Sequence, residues 1–110
     1  MSNYPNRPVT VLSASGAISP QAADNYFAVT KSTAAALTLA LPTVDGQRLI
    51  VQDVGGHAHT IDVPIASPPV AGLNGSKARA TFNGTLGSFV ELLSYNGSWM
   101  VLGASGVTVA

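Results

Sequence analysis

The sequence predicts an all-β domain: a compact antiparallel β-sandwich or barrel of short strands, with an extended N-terminal arm. Three observations predict it. Apolar and polar residues alternate with a period of two in one short run after another, which is the pattern of a strand with one buried face. Turn residues separate the runs at the regular short spacing of a sandwich or barrel. The chain also ends in a hairpin whose two sides are both apolar.

Residues Met1–Pro8 hold two prolines and no periodicity, so they read as the arm (residues 1–8), and residues 9–110 as a single β domain. Strand patterns follow at Val9–Leu12, Asn25–Thr30, Ala35–Leu41, Gln47–Asp53, His57–Val63, Lys77–Phe82, Ser88–Ser94, Ser98–Leu102 and Val107–Val109. Between the first two, Ser19-Pro20 offers an N-cap residue and a first-turn proline, enough for one helical turn before Tyr26. Ala34-Ala35-Ala36 favours helix locally, but Leu37, Leu39 and Leu41 alternate with Thr38 and Ala40, which is the strand period. Pro64–Gly72 reads as a surface loop with polyproline character or an edge segment that cannot donate ladder bonds. Asn74-Gly75, Asn83-Gly84 and Asn96-Gly97 are each followed by Ser or Thr. Without a secretory signal they read as turns, not as glycosylation sites. Val11-Leu-Ser-Ala-Ser-Gly16 is echoed by Val101-Leu-Gly-Ala-Ser-Gly106, a stretch too short to establish a repeat.

Asn96-Gly97 is the signal for a two-residue type I′ turn, whose central residues both need φ > 0. It sets the register: Tyr95 faces Ser98, Ser94 faces Trp99, Leu93 faces Met100, Leu92 faces Val101 and Glu91 faces Leu102. One side then carries Val90, Leu92, Trp99 and Val101. The other carries Phe89, Leu93, Tyr95, Met100 and Leu102. A hairpin on the surface of a small monomer has one wet face; this one needs covering twice. Which side meets the core and which a partner is left open by the register. The candidate subunit-interface residues are Phe89, Leu93, Tyr95, Trp99, Met100 and Leu102, with Trp99 included as an anchor aromatic although it lies on the first side.

Composition points the same way. Only 9% of the 110 residues are charged and the net charge is zero, against about 25% charged in an ordinary soluble protein. At 46% hydrophobic, the core is ordinary and the deficit is in surface charge. Two readings fit, burial of surface in an assembly and a surface covered by Ser, Thr, Asn and small residues, and both together are favoured over life as a free monomer. No Lys/Arg cluster is available to neutralise phosphates, so no nucleic-acid partner is expected. No apolar run approaches the ~20 residues of a membrane span, and the polar N-terminus is not a signal peptide. The absence of cysteine excludes disulfides and thiolate sites and fits assembly in a reducing cytoplasm.

Catalytic chemistry finds little support. His57-Ala-His59 places two imidazoles on one strand face. With no other His or Cys, further metal ligands would have to be carboxylates such as Asp53 or Asp62, and no metal or cofactor is assigned. Gly103-Ala-Ser-Gly106 is not a nucleophile elbow. The five acidic residues form no local pair, and Gly55-Gly56 lacks the lysine of a phosphate loop.

Ala35-Ala-Leu-Thr-Leu-Ala-Leu-Pro42, Asp45-Gly-Gln-Arg-Leu-Ile-Val51, His57-Ala-His-Thr-Ile61, Ala80-Thr-Phe-Asn-Gly-Thr-Leu-Gly87 and Leu93-Ser-Tyr-Asn-Gly-Ser-Trp-Met-Val-Leu-Gly103 together resemble small tailed-bacteriophage virion proteins. The likeness covers about residues 10–110 and is strongest at the Tyr-Asn-Gly-x-Trp hairpin. Such modules occur as capsid decoration (cement) proteins and as pieces of tail fibres. A chain with no fibre shaft or coiled-coil repeat suits the former. The resemblance therefore implies a non-enzymatic structural protein on the outer surface of the virion, assembled in the host cytoplasm. It would bind the major capsid protein as a homotrimer, with Asn3, Tyr4, Pro5, Arg7 and Pro8 of the arm touching the shell. A receptor- or glycan-binding module of a phage tail is the alternative.

Overall fold

The computed structural model describes residues 9–65 and 72–110. The arm, and most of the Pro64–Gly72 loop, lie outside them. Among the described residues eleven strands run in chain order: β1 Val9–Leu12, β2 Gly16–Ile18, β3 Asp24–Val29, β4 Ala36–Leu39, β5 Arg48–Asp53, β6 Thr60–Asp62, β7 Gly72–Leu73, β8 Arg79–Phe82, β9 Phe89–Tyr95, β10 Ser98–Ser105 and β11 Val107–Val109. They form a six-stranded sheet ordered β1-β3-β5-β9-β10-β7 and a five-stranded sheet ordered β11-β8-β6-β4-β2. The all-β, two-layer expectation holds.

The ladders are not all antiparallel. The chain alternates between the sheets, so that β1–β2, β3–β4 and β5–β6 are successive rungs stacked in parallel. The rung β8–β9 then runs backwards, antiparallel to both β6 and β5. The last rung, β10–β11, reverses again. A parallel pair needs a crossover, and here the strand in the opposite sheet supplies it. Alternating side chains carry no mark of strand direction, so the period that located the strands was silent on this point.

Two strands lack a signal of their own: β2 and β7 are three and two residues long. The segment after Ser19 forms no helix. Residues 22 and 23 bend, and the Asn25 side chain performs the capping instead. Its Oδ1 accepts the N–H groups of Gln21 and Ala22 at 3.1 and 3.0 Å, and its Nδ2 donates to the carbonyls of Ala22 and Arg48. The two echoed segments occupy equivalent places. Each finishes a six-stranded-sheet strand, turns at a positive-φ glycine (Gly16 or Gly106) and begins a strand of the other sheet. They are the corners of the first and last rungs.

The core lies between the sheets. One layer contributes Phe27, Val29, Leu49, Val51, Val90, Leu92 and Trp99. The other contributes Ile18, Leu37, Leu39, Ile61, Ala80 and Phe82. The indole N–H of Trp99 donates to the Ala40 carbonyl at 2.9 Å, tying β10 to the far layer.

Candidate functional site

The closing hairpin has the turn its sequence requires: Asn96 and Gly97 sit at φ 52° and 79°. The register follows expectation from Tyr95↔Ser98 to Leu92↔Val101, then slips. A bulge sets Glu91 opposite Gly103 and leaves Leu102 unpaired. Leu102 keeps the outward side that alternation from Met100 gives it and is 53% exposed.

The structure settles which side of the hairpin is which. Val90, Leu92 and Trp99 are buried in the core, and Val101 packs against it. Phe89, Leu93, Tyr95, Met100 and Leu102 lie on the outer face of the six-stranded sheet. Phe89 and Leu93 are half-buried, and Met100 and Tyr95 are 36% and 62% exposed. Trp99 is a correction: at 1% exposure, with its N–H bonded internally, it is a core residue and offers a partner nothing. Asn3, Tyr4, Pro5, Arg7 and Pro8 lie outside the described residues.

The outer face extends beyond the hairpin. Registered pairing aligns Val9, Tyr26, Ile50 and Glu91 in one row, and Val11, Ala28, Gln52 and Phe89 in the next. Val9 and Val11 are well exposed. Among the described residues an ion pair crosses it, Arg48 Nε to Glu91 Oε2 at 2.5 Å, beside a Tyr26–Gln52 hydrogen bond. The outer face of the five-stranded sheet is different in kind. Its rows read Ala36, Thr60, Thr81, Thr108 and Ala17, Thr38, Asp62, Arg79. Arg79 grips Asp62 through two bonds of 2.5 and 3.1 Å, and this contact holds the Asp62 carboxyl below its usual range. One chain thus carries a wet face of threonines and a mixed face, on which Val9, Val11, Ile50, Phe89, Leu93 and Met100 surround the polar Tyr26, Arg48, Gln52 and Glu91.

Compared with protein-family models and with curated protein sequences, the chain gives no match.

The His57/His59 pair does not share a strand face, because β6 begins only at Thr60. His59 is fully buried and both ring nitrogens are engaged. Nδ1 accepts the Ala35 N–H at 2.9 Å, and Nε2 lies 3.2 Å from Asp53 Oδ1. The first bond places the ring proton on Nε2, which donates to Asp53. Asp53 also accepts the N–H groups of Gly55, Gly56 and His57 at 2.8–3.0 Å. The constellation is a staple joining the starts of β4 and β6 to the end of β5. Sequence reasoning named both residues as metal-ligand candidates and missed their role as each other's partner. The spacing Asp53-x5-His59 across Gly55-Gly56 was the available clue. Among the described residues no three His, Asp or Glu side chains gather into a metal-binding group.

Proposed function

We propose that this chain is a structural virion protein: a decoration protein that binds the outside of an assembled phage head as a homotrimer and stabilises the shell. The observation carrying the reading is the contrast between the two outer faces. A chain of 9% total charge that dresses one sheet in Thr, yet sets exposed Val9, Val11, Met100 and Leu102 on the other around its Arg48–Glu91 pair, has a surface made to be covered. A covered face and many identical copies on a lattice yield stabilisation by mass action, with no chemistry required. The resemblance of the Tyr95-Asn-Gly-Ser-Trp99 hairpin to phage virion modules supplies the setting.

Analytical ultracentrifugation at micromolar concentration tests the first half. A trimer is expected, and a monomer would overturn it. Adding the protein to emptied phage heads tests the second: saturable binding and a raised disruption temperature are expected. One observation favours a tail-borne binding module instead. Tyr95 stands exposed at the hairpin tip, beside Asp45, whose Oδ1 accepts the Asn96 N–H, and an aromatic next to polar groups suits a sugar. Glycan binding that is lost in Tyr95→Ala, together with no affinity for heads, would select that reading.

A further inference from the structure

Strand β1 ends the six-stranded sheet, with β3 on one side and, among the described residues, no strand on the other. The Leu12 carbonyl accepts the Thr30 N–H at 2.9 Å, so the backbone groups of Leu12 point toward β3. In a strand these groups change sides from one residue to the next. Those of Thr10 therefore also point toward β3, and the N–H and C=O of Val9 and Val11 point away from the sheet. They stand in a row at the open edge, each in need of a partner or water. The side chains are equally uncommitted. Val9 and Val11 are 58% and 57% exposed on the outer face. Thr10 shares the inner side with Phe27, its partner on β3, yet is exposed, because the core stops short of it. The strand Val-Thr-Val-Leu holds no charge and no proline, and its register with β3 runs without a bulge. Charge, proline and bulges are the devices that keep a sheet edge from pairing.

We propose that this edge is a two-fold contact to a second copy of the chain, made by antiparallel pairing of β1 with β1 of that copy. The hydrogen bonding selects both partner and register. An antiparallel neighbour must set outward-pointing residues against outward-pointing ones, and a two-fold axis must make the pairing reciprocal. With Thr10 on the axis, Val9 faces Val11 of the second copy, and Val11 faces Val9 of the second copy. Each such pair exchanges both its bonds, so every outward group of both strands is satisfied. The valines meet as β-branched cross-strand pairs with no like charges opposed. Thr10 meets Thr10 of the second copy as a non-hydrogen-bonded pair, the closer of the two antiparallel spacings. Strand β11, at the end of the other sheet, also reads Val-Thr-Val. Its valines already pack against the core and gain less from a partner. The contact is small: an edge of 4 residues falls well short of the roughly 1,000 Å² of a stable interface. It forms at millimolar concentration, or where copies are already held side by side, and leaves the micromolar species unchanged. It rests neither on the virion reading nor on the proposed trimer.

Disulfide trapping tests it, in a chain with no cysteine of its own. Thr10→Cys, Val9→Cys, Val11→Cys and, on β11, Thr108→Cys are each oxidised with glutathione disulfide at millimolar protein concentration. Only a residue on the axis meets its own copy, so Thr10→Cys is expected to give covalent dimer at least about tenfold faster than the other three. Adding Val11→Pro removes an outward N–H and no bond to β3. It should bring the Thr10→Cys rate down to that of the others with an unchanged circular dichroism spectrum. Four results would overturn the proposal. Equal rates at all positions would mean random collision, and fastest trapping at Thr108→Cys would move the contact to β11. A Thr10→Cys rate indifferent to Val11→Pro in the folded chain would exclude ladder pairing. Trapping that appears only after deletion of residues 1–8 would mean that this segment, and not a second copy, covers the edge.

Discussion

Asp53 concentrates the polar chemistry of the interior. Burial pushes its carboxyl up. The N–H groups of Gly55, Gly56 and His57 and the His59 ring outweigh that and hold it below its ordinary 3.8. The folded state therefore takes up this proton less readily than the unfolded chain. Its stabilisation is complete above the ordinary carboxylate value and is lost as pH falls through the lowered folded value. A melting temperature that declines below pH 3.8 is expected, with a shallower decline in Asp53→Asn. That variant should also lose about 1–3 kcal/mol at neutral pH, because an amide cannot accept all four bonds. A second position is set by geometry alone. Gly106 sits at φ 68°, and a Cβ there would lie 2.2 Å from Ser88 Oγ. Gly106→Ala should cost at least about 1–3 kcal/mol in chemical denaturation, from the backbone strain before the clash is counted.

At the scale of the element, the closing hairpin gives two substitutions of similar chemistry opposite consequences. Leu92→Asp buries a charge between the sheets, a cost of several kcal/mol against a total stability of about 5–15 kcal/mol, and the chain should fail to fold by circular dichroism. Leu93→Asp faces outward and should leave the spectrum unchanged; in the proposed trimer it should lower the sedimentation coefficient to that of a monomer. Trp99→Ala belongs with the first class, at about 3–5 kcal/mol, since it empties a core site and removes the donor to the Ala40 carbonyl. The sequence made both faces of this hairpin legible. The Asn-Gly turn pins the register, and the register fixes alternation. It did not reveal the bulge at Leu102, because a bulge is a mismatch between two strands and leaves no trace in either strand's own period. Nor did it identify the Asp53–His59 pair, whose partners meet only once β5 turns through Gly55-Gly56 into β6.

At the scale of the molecule, the proposed trimer would make folding and assembly one equilibrium. A partner that binds only the folded chain raises apparent stability in proportion to the logarithm of its concentration. The melting temperature should therefore rise with protein concentration in the native chain and stay constant in Leu93→Asp, by calorimetry over a hundredfold range. The five stacked rungs also show what the short echo at Val11–Gly16 and Val101–Gly106 does. The first and last rungs make the same corner between the same two sheets, with glycine supplying the positive φ at the turn.

The sequence by itself determined that the chain is all-β, where nine of the strands lie and how the last turn is made. These follow from the two-residue period and from turn chemistry. Only the tertiary structure decided that strands outside the β9–β10 hairpin alternate between sheets, that the fourth rung runs backwards, and that Trp99 faces the core while Leu93 and Met100 face out. The physical reason is common to all three. Alternation assigns residues to two sides of a strand, but it is symmetric under reversal of the strand and exchange of the sides. That symmetry is broken only by what packs against each side.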